Sequence, residues 1–339
     1  MKFHGRTVAG MALGAAGLAT IATSAFVGAI SMAASRRVTR PVFGNFGTLD
    51  PPKPLPREPV SLTSSDGTSL AAWFVPGARR TPILLLHGYS ATKQEMLHHA
   101  SFLHEAGYPV MLLDLRCCGE SGGSAVTFGG REREDVSAAL AYLHERPDVD
   151  GQRLGVLGLS LGGSLALLAA ADCPAVRAVV AESSFANIHN AVRRNLRHAT
   201  RLPAFPFAHI IIWLVERRYG VRASRVAPDR TIGDREDCAV LLIHAENDDV
   251  VSVQDAHVLF SAARGPKELW LLPDADHAMA YRTEREAYSA RVIAFFHRWL
   301  AEGVPGASPR SERVGGPHGF PNSEEQATTP APVVDDAAG

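Results

Sequence analysis

Between Val60 and Leu300, short, predominantly apolar runs alternate with stretches whose apolar residues recur at helical spacing. The runs are Ile83–His87, Val110–Asp114, Leu154–Leu159, Val176–Ala181, Ala239–His244 and Glu268–Leu272, and each predicts a strand buried on both faces. Ahead of them, Val60–Ser64 and Ser69–Val75 flank Asp66-Gly67, the signature of a hairpin. A helix is predicted near Lys93–Ala106, stopped by Gly107. The next puts Val136, Ala139, Leu140 and Leu143 on one face and ends before Pro147. Another runs from Leu165 to Ala171, and the last gathers Val292, Phe295, Phe296 and Trp299 on one side. This alternation predicts an α/β protein: a mostly parallel sheet of about eight strands, helices on both faces, and functional residues on loops at the strands' C-terminal ends.

The rhythm breaks between Phe185 and Thr231. That insertion carries Arg193, Arg194, Arg197 and Arg201, then an apolar run from Leu202 to Val215 that includes Phe205, Phe207 and Trp213. The run is too short to cross a bilayer. It reads either as a helical pair packed on the sheet or as a lid over a substrate, with Phe205 and Trp213 bordering an acyl chain. At the N-terminus, Thr7 to Ser35 is a stretch of 29 residues without a charge. As a helix it would be about 43 Å long at 1.5 Å per residue, enough for the apolar core of a bilayer. Lys2 and Arg6 precede it; Arg36, Arg37 and Arg40 follow. The expectation is a single-pass N-terminal membrane anchor over residues 1–36, with a signal cleaved near Ala25 and a secreted enzyme as the alternative. Positive charge at both ends leaves the orientation open. Residues 37–59 are rich in proline and read as a stalk, residues 60–302 as the globular domain with its insertion at about 185–231, and residues 303–339 as a disordered tail.

Composition narrows the function classes. Lys and Arg number 34 against 35 Asp and Glu, a formal net charge of -1, which offers nothing to a nucleic acid. The four cysteines have no CxxC spacing, so neither a disulfide scaffold nor a zinc site is expected. With no phosphate loop, dinucleotide fingerprint or metal-ligand pattern, no cofactor and no metal is expected.

Two Gly-x-Ser-x-Gly segments occur. Gly119-Glu120-Ser121-Gly122-Gly123 leads into more glycine and reads as a flexible turn. Gly158-Leu159-Ser160-Leu161-Gly162 instead joins a strand directly to a helix. A serine at that sharp bend is lifted clear of the sheet, and the helix N-terminus beneath it offers unpaired N–H groups to an oxyanion. Ser160 is therefore the candidate nucleophile. A serine needs a base, and the base an orienting acid. Asp248 follows the strand Ala239–His244, with Asp249 its rival, and Ser252 and Asp255 beyond them have capping-box spacing. His277 follows the strand ending at Leu272, which completes the order Ser, Asp, His. The Leu161 N–H is one candidate oxyanion donor. The Tyr89 N–H is the other, in the loop His87-Gly88-Tyr89-Ser90 after an earlier strand, where His87 reads as a structural hydrogen-bonding residue.

From about Leu70 to Leu300 the chain resembles the α/β-hydrolases, and within them the serine aminopeptidase-like and monoglyceride-lipase-like branch with its membrane-anchored bacterial members. Four blocks carry the resemblance: Leu84-Leu85-Leu86-His87-Gly88, Asp114-Leu115-Arg116-Cys117-Cys118-Gly119-Glu120-Ser121-Gly122, the Ser160 elbow, and Leu241–Val251 with His277. The resemblance implies nucleophile, acid and base at Ser160, Asp248 and His277, and oxyanion donors at Tyr89 and Leu161. Ala245, Ser252 and Cys117 stand where such proteins commonly have Gly, Pro and Gly. None of the three removes a reacting group.

The remaining polar features read as structural. Asp114 and Arg116 fix a turn, Cys117 and Cys118 are free thiols, and His98, His99 and His104 are solvated helix residues. The expected activity is cleavage of an acyl ester, the partner being a small acyl substrate, lipid-like ones included. An aminopeptidase would need a carboxylate to hold the substrate amine, and the insertion offers arginines instead. A non-catalytic, membrane-tethered binding protein would predict a broken triad.

Overall fold

Five of the apolar runs form the centre of one eight-stranded sheet, and the sixth, Glu268–Leu272, lies in its half-exposed edge strand. The structure, a computed structural model, describes residues 24–41, 54–201 and 203–301. Residues 24–38 are helical (α1). There follow β1 (Glu58–Thr63), β2 (Ser69–Val75), β3 (Ile83–Leu86), a 3-10 turn at Lys93–Met96, α2 (Leu97–Glu105), β4 (Val110–Leu113), α3 (Glu132–Glu145), β5 (Leu154–Leu159), α4 (Leu161–Asp172) and β6 (Val176–Glu182). The insertion supplies α5 (Ile188–Thr200), α6 (Ala204–Tyr219) and α7 (Pro228–Thr231). The chain closes with β7 (Ala239–Ala245), α8 (Val253–Ala262), β8 (Lys267–Leu272), α9 (Ala280–Thr283) and α10 (Arg285–Leu300).

The strand order is β1-β2-β4-β3-β5-β6-β7-β8. The β1–β2 hairpin is antiparallel, β2 is antiparallel to β4, and the remaining pairs are parallel. This is the α/β-hydrolase fold. Because side chains alternate across a strand, Leu84, Leu86, Val156 and Val179 feed a core under α3, α4 and α8. Ile83, Leu85, Leu157 and Val180 feed the opposite core under α2 and α10. Registers of Leu86 with Gly158, Gly158 with Ala181, and Glu182 with Ile243 bring the C-terminal ends of β3, β5, β6 and β7 to one edge.

The structure departs from the sequence expectation at several points. The first strand begins at Glu58, inside the segment read as stalk, and Thr39 is fully buried, its carbonyl accepting the Val126 N–H at 2.8 Å. The start of that segment is therefore docked on the domain. Residues 42–53, the first part of the charge-free run and the tail lie outside the described residues. Among the described residues, no helix is long and apolar enough to cross a membrane.

Helix α4 starts at Leu161 rather than Leu165. Burial on all sides carries it through Gly162 and Gly163, poor helix formers by themselves. His99 is 4% exposed rather than solvated, set among Phe102, Tyr281 and Tyr288, and burial pushes its pKa down to about 3. The Gly119 segment is a fixed turn rather than a flexible one. The Asp114 carboxylate accepts the Lys93 and Glu120 N–H groups, and the Ser121 hydroxyl bridges the Asp114 carbonyl and the Ala71 N–H. Arg116 is buried in ion pairs with Asp135 and Asp66, as a turn-fixing residue should be, and Cys117 and Cys118 are free thiols.

Candidate active site

At the end of β5 the chain must reverse into α4 within one residue, and Ser160 is that residue. Its φ of 52° and ψ of −113° lie outside the regions comfortable for side chains, a strain the packed turn holds in place. Two neighbours must be glycine for this to fit. A Cβ on Gly158 would lie 2.2 Å from the Gly162 carbonyl oxygen, and one on Gly162 would lie 2.3 Å from the Leu86 carbonyl oxygen.

His277 Nε2 is 2.9 Å from Ser160 Oγ, and His277 Nδ1 is 2.7 Å from Asp248 Oδ2. With the Nδ1 proton directed to the carboxylate, Nε2 is free to accept from the serine hydroxyl. The other Asp248 oxygen accepts the Val250 and Val251 N–H groups at 2.9 and 2.8 Å. Burial alone would raise the Asp248 pKa. The His277 hydrogen bond and charge, with the Val251 N–H, overcome that and hold it below the ordinary carboxylate value. Asp249, the rival acid, is exposed. Ser252 caps α8 through the Gln254 N–H, but Asp255 turns away from the cap to accept the Ala186 N–H at 3.0 Å. The capping box is thus half made, and its acid instead ties the insertion's entry to α8.

The β3 loop runs alongside the elbow: a Cβ on Gly88 would be 3.6 Å from Ser160 Cβ. Glu95 accepts the Gly88 N–H at 2.8 Å. His87 is buried, with Nε2 accepting the Leu115 N–H at 3.1 Å and Nδ1 donating to the Gly88 carbonyl at 2.7 Å. Burial lowers the His87 pKa, and with both nitrogens committed it acts as a structural residue. The Tyr89 ring stacks on Phe128, and its hydroxyl donates to the Val38 carbonyl at 2.9 Å. The Leu161 N–H opens α4, where helix geometry leaves the first donors without an intrahelical acceptor.

Several residues support the site in roles that the sequence had not assigned to them. Glu182 ends β6 as a buried carboxylate, and Ser183 follows it with φ 49°. The Ser183 hydroxyl accepts the Ala278 N–H at 3.0 Å and Glu182 Oε1 accepts the Ala280 N–H at 2.9 Å, so both clasp the loop bearing His277. His244 is buried behind the acid, donating to the Val251 carbonyl at 3.1 Å, and burial lowers its pKa. Arg194 of α5 donates to the Asp248 carbonyl at 3.0 Å. The available signal was an acid closing the apolar run Ala178–Ala181 at the functional edge. A separate polar cavity of about 410 Å³, bordered by Asp66, Arg116, Arg131 and Tyr219, is not lined by Ser160, Asp248 or His277.

Residues 94–303 match the prolyl oligopeptidase family. Protein YqkD of Bacillus subtilis (strain 168) is 30% identical over 237 residues, covering 69% of this chain and 77% of its own length. Protein YfhR of Salmonella typhi is 28% identical over 247 residues, covering 68% and 77% respectively. Among solved structures, the esterase Pf2001 of Pyrococcus furiosus aligns with a TM-score of 0.61 at 23% identity, over 77% of this chain and 99% of that one. This last likeness is one of fold.

Proposed function

The chain belongs to the prolyl oligopeptidase family and is a serine hydrolase of that type, and from that premise we propose that it cleaves acyl esters through an acyl-enzyme. Ser160 attacks the acyl carbon while His277 Nε2 takes its proton and passes it to the leaving alcohol. Water then enters by the same route, and the acid is released with Ser160 restored. Asp248 holds the imidazole in the required tautomer and stabilises its charged form. The Tyr89 and Leu161 N–H groups receive the oxyanion.

The observation that carries the reading is the unbroken line from Asp248 through His277 to Ser160, at 2.7 and 2.9 Å. The reading favours the serine aminopeptidase-like and monoglyceride-lipase-like branch, and a single-pass anchor formed by the charge-free run that begins at Thr7. A panel of acyl esters, thioesters and peptide amides tests it on the full chain in detergent, with a fluorophosphonate label locating the nucleophile. Ester turnover with label on Ser160 supports the proposal, and turnover of amides alone overturns it.

Cleavage of peptides is the second reading, favoured by the family match itself. Against an aminopeptidase, Glu95 and Glu182, two carboxylates beside the elbow, are each committed to a backbone N–H of the site's own loops. That leaves the substrate amine without an obvious counter-charge.

A further inference from the structure

Helices α1 and α6 lie side by side and run in the same direction. Val27, Ile30 and Ala34 of α1 share a cluster with Phe207, Ala208 and Ile211 of α6. Just beyond α1, the Thr39 hydroxyl lies 3.2 Å from that of Tyr219 at the end of α6. Only a parallel arrangement satisfies both contacts over helices of this length.

Along the common direction the exposed aromatic residues come first and the arginines gather last, with exposed Arg201, just before α6, and Val38, at the end of α1, as the exceptions. Near the N-terminal ends stand Phe26, 64% exposed, and Phe205, 76% exposed. Near the C-terminal ends gather the exposed Arg36, Arg37, Arg40, Arg217 and Arg218. Between them, Trp213 is 54% exposed and belongs to an i, i+4 stripe of His209, Trp213 and Arg217, all facing outward, while Phe205, in the non-helical kink before the stripe, sets its ring edge-on to His209. The outer face of α1 is also apolar, with Ala25, Phe26, Ala29 and Ala33 exposed.

A helix apolar on its inner and outer faces wants an apolar neighbour on both. Aromatic side chains at one level and arginines at another are what a lipid–water interface selects. The charge-free sequence from Thr7 to Thr23 joins the chain at the apolar end of this face, so the same solvent fits both. We propose that the exposed face shared by α1 and α6 docks on an anionic phospholipid bilayer, with Phe26 and Phe205 toward the acyl chains and the arginines among the headgroups. The proposal rests on the anchored-hydrolase reading and adds that the catalytic domain itself lies on the membrane. The docked pair reaches the active-site loops directly where the Val38 carbonyl accepts the Tyr89 hydroxyl, and indirectly through α5, which packs on α6 and whose Arg194 donates to the Asp248 carbonyl. Its substrates are therefore acyl esters drawn from the lipid phase.

Trp213 provides the readout. The full chain is reconstituted in vesicles of phosphatidylcholine and phosphatidylglycerol, floated on a gradient, and its tryptophan emission compared with and without brominated acyl chains. The expected result is partial quenching that disappears in Trp213→Phe, because Trp73, Trp270 and Trp299 are half-buried in the hydrolase core. Quenching should weaken when phosphatidylglycerol is omitted. A chain that floats but is quenched equally in wild type and Trp213→Phe overturns the docking and leaves the anchor standing. One that does not float overturns both. Emission from Trp213 that shifts to the blue with protein concentration, without lipid, assigns the face to a second copy and also overturns the proposal.

Discussion

Glu182 Oε1 accepts the Ala280 N–H at 2.9 Å, three residues beyond His277, while the Glu182 backbone carbonyl accepts the Ser160 N–H at 2.8 Å. A single residue at the end of β6 thus fixes both the elbow and the loop carrying the base. Its second oxygen has no hydrogen-bond partner among the described residues, and the Tyr288 hydroxyl faces it outside good hydrogen-bonding geometry. Burial pushes the Glu182 pKa up to about 7, against the pull of the Ala280 N–H, Tyr288 and His277. The neutral acid keeps a carbonyl oxygen for Ala280, so the clasp survives protonation.

Glutamine is the isostere of that neutral acid, and two outcomes follow for Glu182. Glu182→Gln should keep kcat within a few-fold, whereas Glu182→Ala should lower kcat by about 100-fold with little change in KM, because the base drifts from its aligned position. The folded pKa is raised, so the folded state binds the extra proton between pH 4.5 and about 7. The contribution of Glu182 to stability should therefore fall as pH rises through that window, by roughly 3 kcal/mol in all. Buried His87, His99 and His244, with lowered pKa values, contribute in the opposite sense, so urea melts across pH 4 to 8 should show the Glu182 slope as the difference between wild type and Glu182→Gln. An unchanged slope would mean that another group titrates.

Ser160→Ala should abolish fluorophosphonate labelling and reduce kcat by on the order of 10⁶. Ser121→Ala should retain both. Its hydroxyl joins the Asp114 carbonyl to the Ala71 N–H, so the loss should appear as stability, about 1 kcal/mol per hydrogen bond. Mass spectrometry of the labelled protein and a denaturant melt separate these effects. A folded Ser160→Ala protein that still labels fully would remove Ser160 as nucleophile.

Asp248→Asn should lower kcat by about 10⁴, since the amide no longer selects the tautomer that leaves Nε2 free. Asp249→Asn, at an exposed position, should cost less than a few-fold. The Asp248 pKa is lowered on folding, so its contribution to stability is present above the ordinary carboxylate pKa and lost as pH falls through the folded value. Acid melts should accordingly show a gentler low-pH decline in Asp248→Asn. Reversed kinetic effects at the two positions would shift the acid to Asp249.

The strands were legible because burial on both faces leaves uninterrupted runs such as Leu154–Leu159, which is β5 residue for residue. Ser160 was legible because the elbow forces glycine at fixed offsets around it. Contacts between distant segments were not. Nothing local marks Glu182 as the partner of Ala280, ninety-eight positions away in the chain, nor His99 as the centre of an aromatic cluster closed by α10. The insertion was found by its broken rhythm, yet which of its faces turns inward depends on α1, whose packing partner no periodicity names.

The lid reading of the sequence would put Phe205 and Trp213 at the border of an acyl site, but both side chains point outward, and the buried face of α6 is Phe207, Ala208, Ile211 and Ile212. Two kinds of substrate therefore separate two roles. Each methylene buried in an acyl pocket contributes about 0.8 kcal/mol, close to fourfold in affinity, so medium-chain esters dissolved in water should exceed acetyl esters in kcat/KM. Phe205→Ser and Trp213→Ser should leave that ratio unchanged, since neither side chain is buried against the fold. The same variants should lose activity by several-fold on esters embedded in anionic vesicles, where access depends on docking. A chain-length series on soluble esters, repeated on vesicles with all three proteins, reads both effects. Flattening of the soluble series by either substitution would move that residue into the acyl site. A wild-type enzyme fastest on acetyl esters would mean that no such pocket is in use.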